Sequence, residues 1–287
     1  MNFGLMFANA GPLGLPEVFT TLATTAERVG FESLWVVEHV VIPVGYRSRY
    51  PYDPSGRIPA PDQLPIPDPL LQLAYAAAIT KTIRLATGIL ILPQRHPLYV
   101  AKEVATLDVL SHGRMILGIG VGWLAEEFEA LGVPFDERAA RTAETVRAVR
   151  SLWKPEAAPF AGRFFRWGPL ESHPKPVQQP GPPVVVGGHT PIAARRAARY
   201  GDGFYPGVGT VEQLRPLLAV LREECAAVGR KPESIELTVG GGALDLDAVR
   251  GFEDVGVSRL TIAPPAFDPD GLVKGLEDFG SRVIAKS

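Results

Sequence analysis

Three things are nearly missing from this chain. One cysteine, Cys225, occurs in 287 residues, within the helical pattern LRPLLAVLREECAAVG, so neither an internal disulfide nor a cysteine-built zinc site is open to it. No apolar run approaches the roughly 20 residues of a membrane span. The start, MNFGLMFANAGP, has neither the basic leader nor the apolar stretch of a signal peptide, and a cytoplasmic enzyme is expected. Runs of like charge are absent too: 29 Lys and Arg stand against 31 Asp and Glu, a formal net charge of -2. Without a basic stripe to neutralise phosphates, neither nucleic acid nor an anionic membrane surface is an expected partner. The five histidines are scattered singly, unlike the clustered ligands of a metal hydrolase, so no metal is expected.

What is abundant is repetition. Eight β-rich runs recur: NFGLMF, ESLWVVEHV, IRLATGILIL, RMILGIG, PPVVVGG, GDGFYP, SIELTVGG and SRLTIAPP. Helical patterns separate them. Pro16 opens one with Phe19, Leu22, Ala23, Ala26 and Val29 at helical spacing before Gly30 stops it, and Asp68 with Pro69 opens another. A third turns Leu98, Ala101, Val104 and Ala105 to one side. The near-continuous apolar character of IRLATGILIL is that of a strand buried on both faces, as parallel strands are. Eight strand-helix units in this length predict a (β/α)8 TIM barrel, one domain over residues 1–287, with insertions after strands 2 and 4. These are the Pro-rich segment from Pro43 to Pro67 and the region from Glu137 to Pro180. Both follow a strand, so both are expected over the C-terminal face, where barrels keep their chemistry.

The run GIGVGW follows the fourth strand with G-x-G-x-G spacing, whereas a dinucleotide fingerprint needs G-x-G-x-x-G after the first strand of its unit. Gly118, Gly120 and Gly122 either let the strand end bend or, with Val121, offer bare backbone to a flat ring. A phosphate suits GGHTP better. There Gly187, Gly188 and His189 lead into Thr190 and Pro191, and free N–H groups converge with a helix N-terminus, Arg195 adding attraction; the alternative is a plain turn and N-cap. The loop YRSRYPYDPSGR brings Tyr46, Arg47, Tyr50, Tyr52 and Arg57 over the mouth, suited either to an oxygen-rich ligand or to a proline-braced surface. Glu126 and Glu127 read as ordinary helix N-terminal charge. Asp202 precedes a strand and belongs to the opposite, structural face. No lysine ends a strand, so Schiff-base chemistry is not expected.

Three segments together resemble the luciferase-like flavin and deazaflavin oxidoreductases: SLWVVEHV, the stretch DPLLQLAYAAAITKTIRLATGILILPQRHPLYVAKEVATLDVLSHGRMILGIGVGW, and VVVGGHTPIAARRAARYGDGF. YPYDPSGR and GVGWLAEEF look most like the group dependent on coenzyme F420. That resemblance implies a hydride passed between the deazaflavin and a small organic substrate. His39, preceded by Glu38, would exchange a proton near the ring, as a group titrating near neutrality can. It also implies a cis peptide between Gly88 and Ile89 behind the ring, and a homodimer. At the position of Trp123, sugar-phosphate relatives carry a glutamate acid. A tryptophan cannot donate that proton, so glucose 6-phosphate is not the expected substrate and Trp123 becomes an apolar wall. The alternatives are an FMN-dependent monooxygenase using reduced flavin and oxygen, and a flavin-binding barrel without turnover.

Overall fold

The computed structural model describes residues 1–240 and 244–287. Its barrel strands, apart from a short antiparallel pair (Phe160–Ala161 with Arg166–Trp167), are β1 (Asn2–Leu5), β2 (Ser33–Val36), β3 (Arg84–Thr87, continuing as Leu90–Ile91), β4 (Met115–Gly120), β5 (Val184–Gly187), β6 (Gly203–Tyr205), β7 (Glu236–Gly240) and β8 (Arg259–Ile262). All eight pair in parallel. The order β3-β2-β1-β8-β7-β6-β5-β4 closes through β3 against β4, which makes a (β/α)8 barrel. The helices are α1 (Pro16–Val29), α2 (Pro69–Ile79), α3 (Pro97–Leu110), α4 (Ala125–Ala130), α5 (Arg138–Trp153), α6 (Pro191–Tyr200), α7 (Val211–Ala227), α8 (Leu246–Glu253) and α9 (Pro269–Arg282).

The strands are shorter than their apolar runs, because pairing stops where the chain turns outward to build the mouth. ESLWVVEHV leaves the sheet after Val36, and IRLATGILIL is divided by a cis peptide between Gly88 and Ile89. Gly241, the last residue of the seventh run, lies outside the described residues. Helix starts follow local chemistry. Asp68 accepts from the backbone N–H groups of Leu70 (2.9 Å) and Leu71 (3.1 Å), and Thr190 accepts from that of Ala193.

Two cores result. Between strands and helices lies an aliphatic shell including Leu34, Leu85, Val104, Leu117 and Val186. Inside the barrel, Trp35 packs with Ala86, Ile116 and Val185. The N-terminal end of the barrel is plugged by Arg259, which is fully buried. It donates to Glu32 at 2.7 and 2.8 Å, to Thr238 at 3.0 Å and to Glu236. Asp202 belongs to this end too: it takes Arg150 at 2.6 Å and the Val184 N–H at 2.9 Å.

The two insertions take different courses. The segment after β2 crosses the mouth. After β4, α4 sits over the mouth, but α5 is the barrel's own fourth helix, anchored to α3 by Trp153 Nε1 on the Ala101 carbonyl (3.1 Å). The rest begins at the C-terminal-face end of the helix layer, where Phe165 packs on His96, the N-cap of α3, at 5.3 Å. Glu144 of α5 collects the N–H groups of Arg163, Phe164 and Phe165 at 2.8 Å each, and Gln178 is tied to Asp108 at 2.7 Å, so this stretch runs along the outside of α5. Three backbone donors had to be satisfied, and the Glu144 carboxylate does so there.

The closest backbone approach is between β3 and β4. A Cβ at Gly118 would collide with the Thr87 carbonyl oxygen, and one at Gly120 with the Ile89 side chain. Gly118→Ala is therefore expected to cost about 2 kcal/mol or more in chemical denaturation, as overpacking against backbone does. Gly168→Ala, where nothing lies within 4 Å of the added carbon, should stay within about 0.5 kcal/mol. Equal midpoints for the two variants would mean that the strands part easily.

Candidate active site

Past the end of β2 the chain is held in an extended course by a side chain acting as a strand. Asn9, fully buried, donates to the Val37 carbonyl at 2.9 Å and accepts the Val37 N–H at 2.8 Å. The next two residues then point in different directions, as alternation requires. Glu38 turns to the side opposite the barrel interior that Trp35 fills, into the layer between strands and helices, and is 5% exposed. Its Oε1 accepts Arg95 Nε at 2.8 Å and a second guanidinium nitrogen at 2.6 Å, and its Oε2 accepts the Ile91 N–H. Arg95 also reaches Asp68 at 2.6 Å. Burial raises the Glu38 pKa and the Arg95 charge works against that rise. Both carboxylate oxygens are thus engaged in holding the resumed half of β3.

His39 goes toward the mouth. Its Nδ1 lies 2.9 Å from Glu127 Oε2, its side chain is 11% exposed and that of Glu127 is fully buried. The other oxygen of Glu127 accepts the N–H groups of Val40 (2.7 Å) and Val41 (3.3 Å). Its neighbour Glu126 does the same one step along the loop. Oε1 takes the Arg47 N–H at 2.7 Å and the Ser48 N–H at 3.2 Å, Oε2 takes the Ser48 hydroxyl at 2.7 Å, and that hydroxyl accepts the Ala125 N–H at 3.0 Å. The Ser48 hydroxyl first, and the Arg47 N–H next, bring the Glu126 pKa down to about 2. These two residues are more than helix N-terminal charge. They fasten the loop from residue 40 to 48 and orient His39, a role invisible in the local sequence because every partner lies about 80 positions away.

Trp123 is the hub of an aromatic cluster. Its ring meets His39, Tyr46 and Tyr50 edge-on, with centroids 5.7, 5.5 and 5.2 Å apart. Tyr50 continues to Tyr52 (5.5 Å), and Tyr52 to His189 (4.7 Å). Tyr52 also covers Gly207, where any side chain would strike its ring. The loop thus bridges the mouth from β2 to the ends of β5 and β6. Tyr46 is buried within it, braced by Arg57, which stands 4.3 Å over its ring and donates to its carbonyl at 2.8 Å. Arg47 is exposed and contributes backbone rather than charge to the latch.

The glycines of GIGVGW divide their tasks. Gly118 and Gly120 face β3, and Ile89 fills the space in front of Gly120, so these two positions do not offer bare backbone to the mouth. Ile89 also lies against Gly187, where a Cβ would come within 2.6 Å of it. Gly122, at φ 80°, turns the chain under Phe128 and leaves Val121 and Trp123 half-buried at the rim. In GGHTP, Gly188 has φ 129° and Thr190 caps α6. Beside them His189 Nδ1 is buried without a hydrogen-bond partner among the described residues. Arg195 faces away, 3.8 Å from Glu224 of α7. Against His39 lies a cavity of about 170 Å³ lined by Val40, Val41, Ile42, Leu64 and Ile66 together with the polar Asp62 and Gln63. Among the described residues no cluster of His, Cys, Asp or Glu has the makings of a metal site, and no helix is long and apolar enough to cross a membrane.

A parallel barrel whose C-terminal mouth gathers an oriented histidine, an aromatic wall and a helix N-terminus belongs to the ligand-binding (β/α)8 class. The family model described as luciferase-like monooxygenase matches residues 1–244, and the chain belongs to that family. It is 33% identical over 286 residues, 99% of both chains, to the uncharacterized protein Rv0953c of Mycobacterium tuberculosis. It is 32% identical over 230 residues to the F420-dependent glucose-6-phosphate dehydrogenase of Kineococcus radiotolerans, covering 78% of this chain and 63% of that one. To the FMNH(2)-dependent dimethylsulfone monooxygenase of Pseudomonas putida it is 30% identical over 211 residues, 72% of this chain and 53% of that one. The family thus includes both F420-dependent and FMN-dependent oxidoreductases.

The low pKa of Glu126 gives the latch a pH signature. A carboxylate depressed from the ordinary 4.5 to about 2 contributes fully above 4.5 and is lost as pH falls through about 2. Amide exchange at Arg47 and Ser48 should therefore be protected at neutral pH and lose protection in that acid window, while Glu126→Ala should lack the protection throughout. Equal protection in the variant would show that the loop is held by other means.

Proposed function

We propose that this protein is a coenzyme F420-dependent oxidoreductase, acting as one cytoplasmic domain on a small organic substrate. The observation that carries this reading is His39, held by Glu127 at the mouth beside Trp123: hydride exchange with an alcohol or carbonyl also moves a proton, and an oriented imidazole can carry it. The residues of the mouth fit the cofactor. His189 Nδ1 is an unpartnered polar atom next to Gly188 and the N-terminus of α6, where an anionic tail would find donors and the helix dipole. Gly187, Gly188, His189 and Thr190 would hold that tail, with Gly88, Ile89, Val121 and Gly122 supporting the ring. A bound deazaflavin would supply the hydride chemistry at its C5. Trp123, Tyr50 and Tyr52 would exclude water, and His39 would hold or release the substrate's proton. Glu38, with both oxygens committed to Ile91 and Arg95, is assigned to positioning rather than proton transfer.

Trp123 argues against glucose 6-phosphate as the substrate, because no acid stands at that rim position. A second reading, an FMN-dependent monooxygenase, is favoured by the 30% identity to an enzyme of that kind. Titration of the protein with F420 and with FMN, followed by ring fluorescence, separates the two: F420 is expected to bind, and tight binding of FMN alone would refute the main reading. His39→Ala should keep cofactor affinity while turnover of the cofactor with small alcohols and ketones falls by about 10²-fold or more; unchanged turnover would remove His39 from the mechanism.

We also propose a homodimer. The apolar side chains Leu71 and Tyr75 of α2 and Tyr99 and Leu110 of α3 are exposed on two helices packed side by side, and exposed apolar surface that a partner could cover favours association. Light scattering should give twice the mass of one chain, and Leu71→Arg should reduce it to the single-chain value. A single-chain mass for the unaltered protein would refute the proposal.

A further inference from the structure

We propose that Glu127 is a positioning residue that selects the tautomer of His39, and that the neutral ring therefore binds ligands which donate a hydrogen bond, such as alcohols. The proposal deepens the reading of His39 as the proton carrier and rests on it, but concerns the protein without cofactor. A carboxylate only accepts hydrogen bonds. With one oxygen of Glu127 filled by the N–H groups of Val40 and Val41, the other, 2.9 Å from His39 Nδ1, requires the ring proton on Nδ1. In the neutral imidazole Nε2 is then a bare acceptor, since the hydrogen bond made by one nitrogen sets the state of the other. No described residue hydrogen-bonds Nε2. Beside the ring lies the cavity of about 170 Å³, whose lining joins the aliphatic Val40, Val41, Ile42, Leu64 and Ile66 with the polar Asp62 and Gln63, so that a small amphipathic molecule suits it. A hydroxyl on that molecule would find its acceptor in His39, whereas a carbonyl would meet a lone pair.

Glu127→Gln turns the geometry into a test. Two backbone N–H groups point at Oε1, so the amide oxygen must stay there and the amide NH2 must take the place of Oε2. That NH2 donates to Nδ1, which forces the ring proton onto Nε2. The loop keeps its acceptor, so the fold is not put at risk. Ring ¹⁵N spectra of histidine-labelled, cofactor-free protein, with the His39 signals identified by their loss in His39→Ala, should show Nδ1 protonated in the wild type and Nε2 protonated in Glu127→Gln. Titration with cyclohexanol and cyclohexanone as probes should favour the alcohol by roughly two- to tenfold in the wild type, the range of one neutral hydrogen bond, and lose that preference in the variant, where Nε2–H donates equally to a hydroxyl or a carbonyl oxygen. Protonated Nε2 in the wild type, one tautomer in both proteins, or an equal preference for the alcohol in both would overturn the proposal. Because no cofactor is present, failure to bind F420 would leave this result standing, and the converse also holds.

Discussion

Everything at the upper end of β3 and β4 depends on an approach with no room for a side chain. Gly118 lets the Thr87 carbonyl come against β4, and Thr87 Oγ1 donates to the Gly118 carbonyl at 2.6 Å. Gly120 and Gly187 then accept the two ends of the Ile89 side chain, so one isoleucine packs against the ends of β4 and β5. From there Leu90 and Ile91 rejoin β4 opposite Ile119 and Gly120, and the Ile91 N–H finds Glu38. A methyl group at Gly118 would have to push backbone, and one at Gly120 or Gly187 would have to displace the Ile89 side chain packed between them, which close-packed interiors resist.

Carboxylates set the geometry of the rest. Glu38, Glu126 and Glu127 each accept backbone N–H groups from a distant loop, and such charge-assisted bonds are stronger and more directional than neutral ones. They leave few donors unpaired in a region without regular secondary structure. Glu32 and Glu236 do comparable work at the opposite end, where they surround the buried Arg259. Removing one member of such a group leaves a buried charge uncompensated, so these networks specify arrangement more than they add net stability. The mouth is accordingly built from loops whose register is pinned at Asn9, Glu38, Glu126 and Glu127, with Trp123 and the tyrosines packed between them.

Much of this was legible in the chain. The eight apolar runs, the caps at Asp68 and Thr190, and the placement of Asp202 at the structural end follow from local patterns and from the parallel barrel they imply. The cis bond between Gly88 and Ile89 was accessible only through resemblance, since a glycine within a strand has no local mark for it. Glu144 of α5 carried no local mark as the acceptor for the three backbone donors of residues 163–165, since those lie about 20 positions away. Glu127 was visible as a residue and invisible as a partner of His39.

Periodicity, glycine and proline placement, and the pairing of apolar runs with helices therefore determined the architecture, because those signals act over a few residues and repeat eight times. The tertiary structure alone decided which carboxylate holds His39, which glycine is covered by Ile89, and which tyrosine reaches His189. Those contacts join residues dozens of positions apart, and a folded barrel supplies the distances on which each depends.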